Sequence, residues 1–129
     1  MEKKSYHIFI ADDDSFLLTI YSNKFKLNGH TITTAQNGEE ALRKIKEGIA
    51  PDALLLDVIM PQMDGIELLE NIRKENLIQQ TAIIMLTNQS QTSDIERAEK
   101  LGVDGYMIKA TTIPSEVVAE VELILSNKK

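Results

Sequence analysis

The sequence has no cysteine, which excludes a disulfide framework, a thiolate metal site and a cysteine nucleophile. Histidine is almost absent as well. Only His7 and His30 occur, so a histidine-rich metal centre is not expected. Positive charge is in short supply, with 14 Lys and Arg against 20 Asp and Glu and a net charge of −6. Non-specific nucleic-acid binding rests on a basic footprint, so direct nucleic-acid contact is not expected. Long apolar runs are missing too, and none approaches the roughly 20 residues of a membrane span. Membrane insertion is therefore not expected. The start, Met1-Glu2-Lys3-Lys4-Ser5, leads into a short apolar run and then three acids, which is not the pattern of a signal peptide. The expected location is the cytoplasm.

What is present suits one folded unit. The 129 residues are 43% hydrophobic, enough to bury a core without staples. We expect a single domain over residues 1–129. Short apolar runs alternate with amphipathic stretches. The runs are Ile8-Phe9-Ile10-Ala11, Thr31-Ile32-Thr33-Thr34-Ala35, Ala53-Leu54-Leu55-Leu56, Ala82-Ile83-Ile84-Met85-Leu86 and Tyr106-Met107-Ile108. Four of them are nearly all apolar, as in strands covered on both faces. The threonine-rich one belongs nearer a sheet edge.

Helical patterns fill the gaps. Ser15 to Leu27 aligns Leu17, Leu18, Tyr21 and Phe25, and Glu39 to Lys46 carries Ala41, Leu42 and Ile45 before a stop at Glu47-Gly48. Gly65 to Lys74 carries Ile66, Leu68, Leu69 and Ile72. Asp94 to Leu101 follows Ser93-x-x-Glu96, which reads as a capping box, and ends at Gly102. Pro114 to Leu125 has proline in its first turn. Strands and helices in strict alternation predict an α/β fold, with a parallel five-stranded sheet wound on both faces by five helices. Ligands in such sheets bind beyond the carboxyl ends of strands.

The residues after the apolar runs are Asp12-Asp13-Asp14, Asp57, Thr87 and Lys109. Converging carboxylates repel one another and raise each other's pKa values. A hard divalent cation removes that repulsion, and such oxygen ligands suit Mg²⁺, or Mn²⁺ in its place. An ammonium and a hydroxyl beside them complete a set that fits a phosphoryl group. One carboxylate can then act as nucleophile and form an acyl phosphate.

Four stretches carry a family resemblance. They are Ile8-Phe9-Ile10-Ala11-Asp12-Asp13-Asp14, then Leu54-Leu55-Leu56-Asp57-Val58-Ile59-Met60-Pro61-Gln62-Met63-Asp64-Gly65, then Ile83-Ile84-Met85-Leu86-Thr87 and Gly105-Tyr106-Met107-Ile108-Lys109. In this order they resemble the receiver domain of two-component response regulators, over essentially the whole chain. The Asp-x-x-Met-Pro-x-Met-Asp-Gly stretch is the specific piece; each of the others alone is weak. The resemblance implies a flavodoxin-like, doubly wound sheet of order 2-1-3-4-5. It implies that Asp57 is the phosphoacceptor, and that Asp12, Asp13, Asp57 and the backbone carbonyl of Ile59 hold Mg²⁺. Lys109 and Thr87 contact the phosphoryl group, and Thr87 and Tyr106 form the switch. Ile59 and Gln89 are the positions that tune hydrolysis, with Asn88 beside them. The implied phosphodonor is a sensor histidine kinase or a histidine phosphotransfer protein. The implied output face is the fourth helix, fifth strand and fifth helix, acting on a downstream protein.

Blander roles compete for these residues. Asp14 or Ser15 reads as a helix cap, and a half-buried packing role suits Tyr106. Met60, Met63 and Met85 read as packing residues, and His7 and His30 as surface residues. Two features depart from the family pattern. Lys109 is followed by Ala110 where the family usually has proline after a cis bond. A cis bond to a non-proline residue costs about 2.5–4 kcal/mol, so a trans bond and a reshaped loop are expected. Asn88 replaces a smaller residue and either narrows access to the phosphoryl group or hydrogen-bonds to it.

Three rival functions are weighed against a phosphorylation switch. A haloacid-dehalogenase-type phosphatase also uses an early Asp-x-Asp, a strand-end hydroxyl and a lysine. The chain is short for that family, no acidic pair follows Lys109, and Asp57 is left unexplained. A receiver-like interaction module that is never phosphorylated is opposed by the intact acids, Thr87 and Lys109. Flavin or dinucleotide binding fails because no glycine-rich loop follows the first strand.

Overall fold

The computed structural model describes residues 4–88 and 91–128. Five strands form one parallel sheet: β1 (His7–Ala11), β2 (Thr31–Ala35), β3 (Ala53–Leu56), β4 (Ala82–Thr87) and β5 (Gly105–Ile108). Their spatial order is β2-β1-β3-β4-β5. Five helices connect or follow them: α1 (Ser15–Leu27), α2 (Gly38–Lys46), α3 (Gly65–Lys74), α4 (Thr92–Lys100) and α5 (Pro114–Asn127). This is the expected doubly wound α/β fold.

Alternation along the strands sorts the core into two layers, because successive side chains leave opposite faces of a sheet. Phe9, Leu54, Leu56, Ile83 and Met85 point to one face and pack with residues of α2, α3 and α4. Ile8, Ile10, Leu55, Ile84 and Leu86 point to the other and pack against α1 and α5. Met60 and Met85 are buried in the first layer and Met63 packs on it, which fits their reading as packing residues. Burial on both faces explains why β3 and β4 read as unbroken apolar runs. The threonine-rich β2 is an edge strand, as expected. β5 is the other edge and is only half-buried, although its residues are apolar.

Helix starts are set by short polar side chains. Asp14 is the N-cap of α1, and its carboxylate accepts from the Phe16 and Leu17 N–H groups at 3.0 and 3.1 Å. Asn37 caps α2, and Glu40 returns the bond by accepting from Gln36 N–H at 2.8 Å. Asp64 caps α3 through Glu67 N–H at 2.8 Å. Each oxygen satisfies an amide that the helix itself leaves without a partner. The capping box read at Ser93 is corrected by the structure. α4 starts earlier, with Gln91 as N-cap and no side-chain cap bond. The Gln91 carbonyl accepts from Asp94 and Ile95 N–H, which places Ser93 inside the first turn.

His30 is also corrected, because it is buried rather than a surface residue. Tyr6 N–H donates to its Nδ1 at 3.0 Å, and its Nε2 lies 2.7 Å from Glu122 Oε2. With Nδ1 accepting, the ring proton resides on Nε2 and is donated to the carboxylate. Both nitrogens being occupied is what allows an imidazole to be buried here. His7 is half-buried and reaches Thr33 Oγ1 at 2.7 Å.

Gly65 sets how closely α3 approaches the end of β3. Its N–H donates to Val58 O at 2.8 Å, and a Cβ at this position would collide with the backbone carbonyl of Asp57. The obstruction is backbone, so it cannot rotate away. Gly65→Ala is expected to destabilise the fold by about 1–3 kcal/mol, the range for overpacking. A denaturant titration showing an unchanged midpoint would contradict this.

Candidate functional site

In a parallel sheet all carboxyl ends lie on one edge, so residues distant in sequence meet there. Asp57 N–H still bonds Ala11 O at 3.1 Å, and Asp12 N–H bonds Ala35 O at 3.0 Å. The two acids thus sit where the β1–β3 and β1–β2 ladders end. Asp12 and Asp57 are buried and Asp13 is exposed. One carboxylate oxygen from each of the three lies within 4.8 Å of the others. Asp14 is not in this group; its carboxylate caps α1, as its place before the helix suggested.

Lys109 closes the cluster. Its Nζ lies 2.5 Å from Asp12 Oδ2 and 2.7 Å from Asp57 Oδ2. Backbone faces the other oxygens: Asp14 N–H donates to Asp12 Oδ1 at 2.9 Å, and Ile59 N–H reaches Asp57 Oδ1 only loosely, at 3.3 Å. Burial pushes the Asp12 carboxyl above its ordinary value, against the opposing pull of Lys109 and the Asp14 amide. Burial draws the Lys109 ammonium down, but its hydrogen bonds to Asp12 and Asp57 outweigh that, and the net shift is upward. The lysine is therefore a fixed positive charge.

The donor set suits a hard divalent cation. Three carboxylates converge and a single ammonium answers them, which leaves two negative charges when all are ionised. Oxygen-only ligands with one exposed acid at the mouth fit Mg²⁺. The Ile59 side chain is 55% exposed, so only its backbone can contribute inward.

Thr87 ends β4 and is 1% exposed. Its register partner across the ladder is Ile108, the residue before Lys109. Tyr106 is half-buried and packs on the layer that contains Met85 and Ala98. Burial, with the negative fields of Asp94 and Asp57, holds its phenol above the ordinary range. Gln89 lies outside the described residues.

The peptide bond after Lys109 has the expected geometry. No cis peptide occurs among the described residues, so Lys109–Ala110 is trans, and Lys109–Thr111 form one 3-10 turn. Asn88 takes a role that neither sequence reading foresaw: its Oδ1 accepts from Ala110 N–H at 2.9 Å. Two further residues carried no assigned role in the sequence. Asp64 is the cap that starts α3, and Gly65 is the spacer that lets it lie against Asp57. An Asp-Gly pair opening an apolar helical pattern was the available signal for both.

Comparison with known proteins agrees with this geometry. A family profile described as the response regulator receiver domain matches residues 8–122. The chain is 38% identical, over 97% of its length, to the alkaline phosphatase synthesis transcriptional regulatory protein PhoP of Bacillus subtilis. It is 39% identical, over 95% of its length, to the probable transcriptional regulator ycf27 of Cyanidium caldarium. It covers 49% and 47% of those two proteins, so it spans about half the length of the curated relatives it matches. The CheY-like receiver domain protein of Methanospirillum hungatei superposes with a TM-score of 0.88 at 26% identity, covering 97% of both chains. A strand-end acid cluster on a sheet of this order, matched over almost its whole length, places the chain in the response regulator receiver domain family.

Proposed function

We propose that residues 1–129 form one receiver domain that accepts a phosphoryl group on Asp57 and relays the change to a protein partner. Receiver domains are signalling switches, and magnesium and an aspartyl phosphate are typical of the family. They take part in signalling with histidine kinases or phosphotransfer proteins. The observation that carries the reading is Asp57 itself. It is a buried carboxylate at a strand end, held by Lys109 at 2.7 Å, with Asp12 and Asp13 within reach of a shared ion.

Asp12, Asp13, Asp57 and the Ile59 backbone carbonyl are the groups that would hold Mg²⁺. When bound, the ion neutralises charge on the phosphoryl oxygens. An Asp57 oxygen attacks phosphorus while the bond to the donor's histidine nitrogen breaks, and an acyl phosphate results. Lys109 holds a phosphoryl oxygen with its ammonium, and the Thr87 hydroxyl donates to another. In assisting this transfer the domain acts on itself and does not turn over a substrate. The phosphoryl group adds about −1.5 to −2 charge by analogy with other phosphoresidues. That charge biases Thr87 and the surface around Tyr106, α4, β5 and α5 between two states. No helix among the described residues is long and apolar enough to cross a membrane, and the site of action proposed is the cytoplasm.

The test is incubation with acetyl phosphate and Mg²⁺, with the adduct mapped by mass spectrometry. A Mg²⁺-dependent adduct on Asp57 supports the switch. No adduct supports a silent interaction module, and steady phosphate release without an adduct supports a phosphatase. Self-dephosphorylation is expected to be slow. Ile59 offers no side-chain hydrogen bond to an attacking water, and Gln89 is not a charged base. A half-life of minutes or longer is expected for the labelled protein; loss within seconds would contradict it.

A further inference from the structure

The turn that carries Lys109 closes on itself through long hydrogen bonds. Ala110 and Thr111 are exposed, although the Lys109 side chain itself is only 10% exposed. Thr112 N–H reaches Lys109 O only at 3.3 Å, and Thr111 Oγ1 reaches Ile108 O only at 3.3 Å. Both lengths lie beyond the ordinary range for such bonds. Beside the Lys109 side chain's own contacts with Asp12 and Asp57, the backbone of the turn has a bond of ordinary length from Ala110 N–H to Asn88 Oδ1, at 2.9 Å. That bond joins two loops 22 residues apart in sequence.

Its place in the sheet matters. The β4–β5 ladder ends at the pair Thr87 and Ile108. Asn88 is the next residue on one side, and Ala110 is two beyond the pair on the other. The carboxamide oxygen takes over where the backbone ladder stops. It therefore ties the residue after Thr87 to the residue after Lys109. Those two neighbours are the groups assigned to the phosphoryl oxygens, so this inference rests on the proposed function.

We infer that Asn88 is a positioning residue for phosphoryl acceptance: by holding Ala110 N–H it fixes the turn that aims Lys109 between Asp12 and Asp57. Its side chain works through Lys109 and makes no contact with the phosphoryl group itself. Asn88→Leu keeps the bulk and removes the acceptor. Asn88→Asp keeps an acceptor at the same reach.

The test measures the rate of Asp57 phosphorylation by acetyl phosphate with Mg²⁺, together with hydrogen exchange at the Ala110 amide. Asn88→Leu is expected to slow phosphorylation about 3- to 10-fold, in line with losing one ordinary hydrogen bond, and to speed exchange at Ala110. Asn88→Asp is expected to restore slow exchange at Ala110. The deciding arm is a double-mutant cycle. In a Lys109→Met background, Asn88→Leu is expected to cause no further slowing. A wild-type rate in Asn88→Leu would overturn the inference. So would an equal further slowing in Lys109→Met, which would mean that Asn88 acts directly on the phosphoryl group or on access to it. If wild-type protein gains no adduct on Asp57, the phosphoacceptor reading fails and this inference falls with it.

Discussion

Asp57→Asn is expected to abolish the Mg²⁺-dependent adduct while leaving the fold intact. The amide is nearly isosteric with the carboxylate, so the packing at the end of β3 is preserved. An amide oxygen has lost the charge that makes a carboxylate nucleophilic, and the product acyl phosphate cannot form on it. The substitution also removes one of three converging carboxylates, so affinity for Mg²⁺ should fall. Stability without the metal should be nearly unchanged, because the substitution removes both repulsion from Asp12 and attraction to Lys109. Mass spectrometry after acetyl phosphate treatment gives the result directly. An adduct of undiminished yield in Asp57→Asn would show that another residue is the acceptor.

Removing Lys109 is the second large effect. In Lys109→Met the phosphorylation rate is expected to drop by about 10²–10³, the usual cost of losing one preorganised charge at a developing anion. A stability loss accompanies it. The Lys109 side chain is 10% exposed, against 3% and 9% for Asp12 and Asp57. Removing one partner of a buried ion pair leaves the remaining charge uncompensated. We expect a loss of about 3 kcal/mol, at the low end of that effect because Asp13 opens the site to solvent. Added Mg²⁺ should return part of it by binding only the folded state. The pH dependence has a definite sign. The folded-state pKa of Lys109 lies above its ordinary 10.5, so its stabilisation is fully present at neutral pH. It is lost only as pH rises through the folded value. In wild-type protein this loss should therefore appear in strong alkali, and in Lys109→Met it should be absent. Denaturant titrations with and without Mg²⁺, across pH, check each point. Equal stability of the two proteins at neutral pH without metal would contradict the account.

Much of this molecule could be read from its residues. The five apolar runs became the five strands, and β2 took the edge position that its threonines suggested. α1 and α3 span the residues that their periodicity marked. Asp12 and Asp13, Asp57, and Lys109 stand after three different strands, and the parallel sheet brings them together. The start of α4 was misread because Ser93 and Glu96 match a cap pattern that the chain does not use. His30 was misread because nothing near it in sequence shows the carboxylate 92 residues away that satisfies its ring.

By itself the sequence determined the strand–helix alternation, the two-faced core and the residue types at the strand ends. Those follow from local periodicity and chain direction, which neighbouring residues encode. The tertiary structure alone decided the partners. It placed the Lys109 ammonium between Asp12 and Asp57 and set Gly65 against the Asp57 carbonyl. It also gave the Ala110 amide to Asn88 across 22 residues of chain. A hydrogen bond depends on a fraction of an ångström between groups that only the packed sheet brings together, and no local pattern carries that distance.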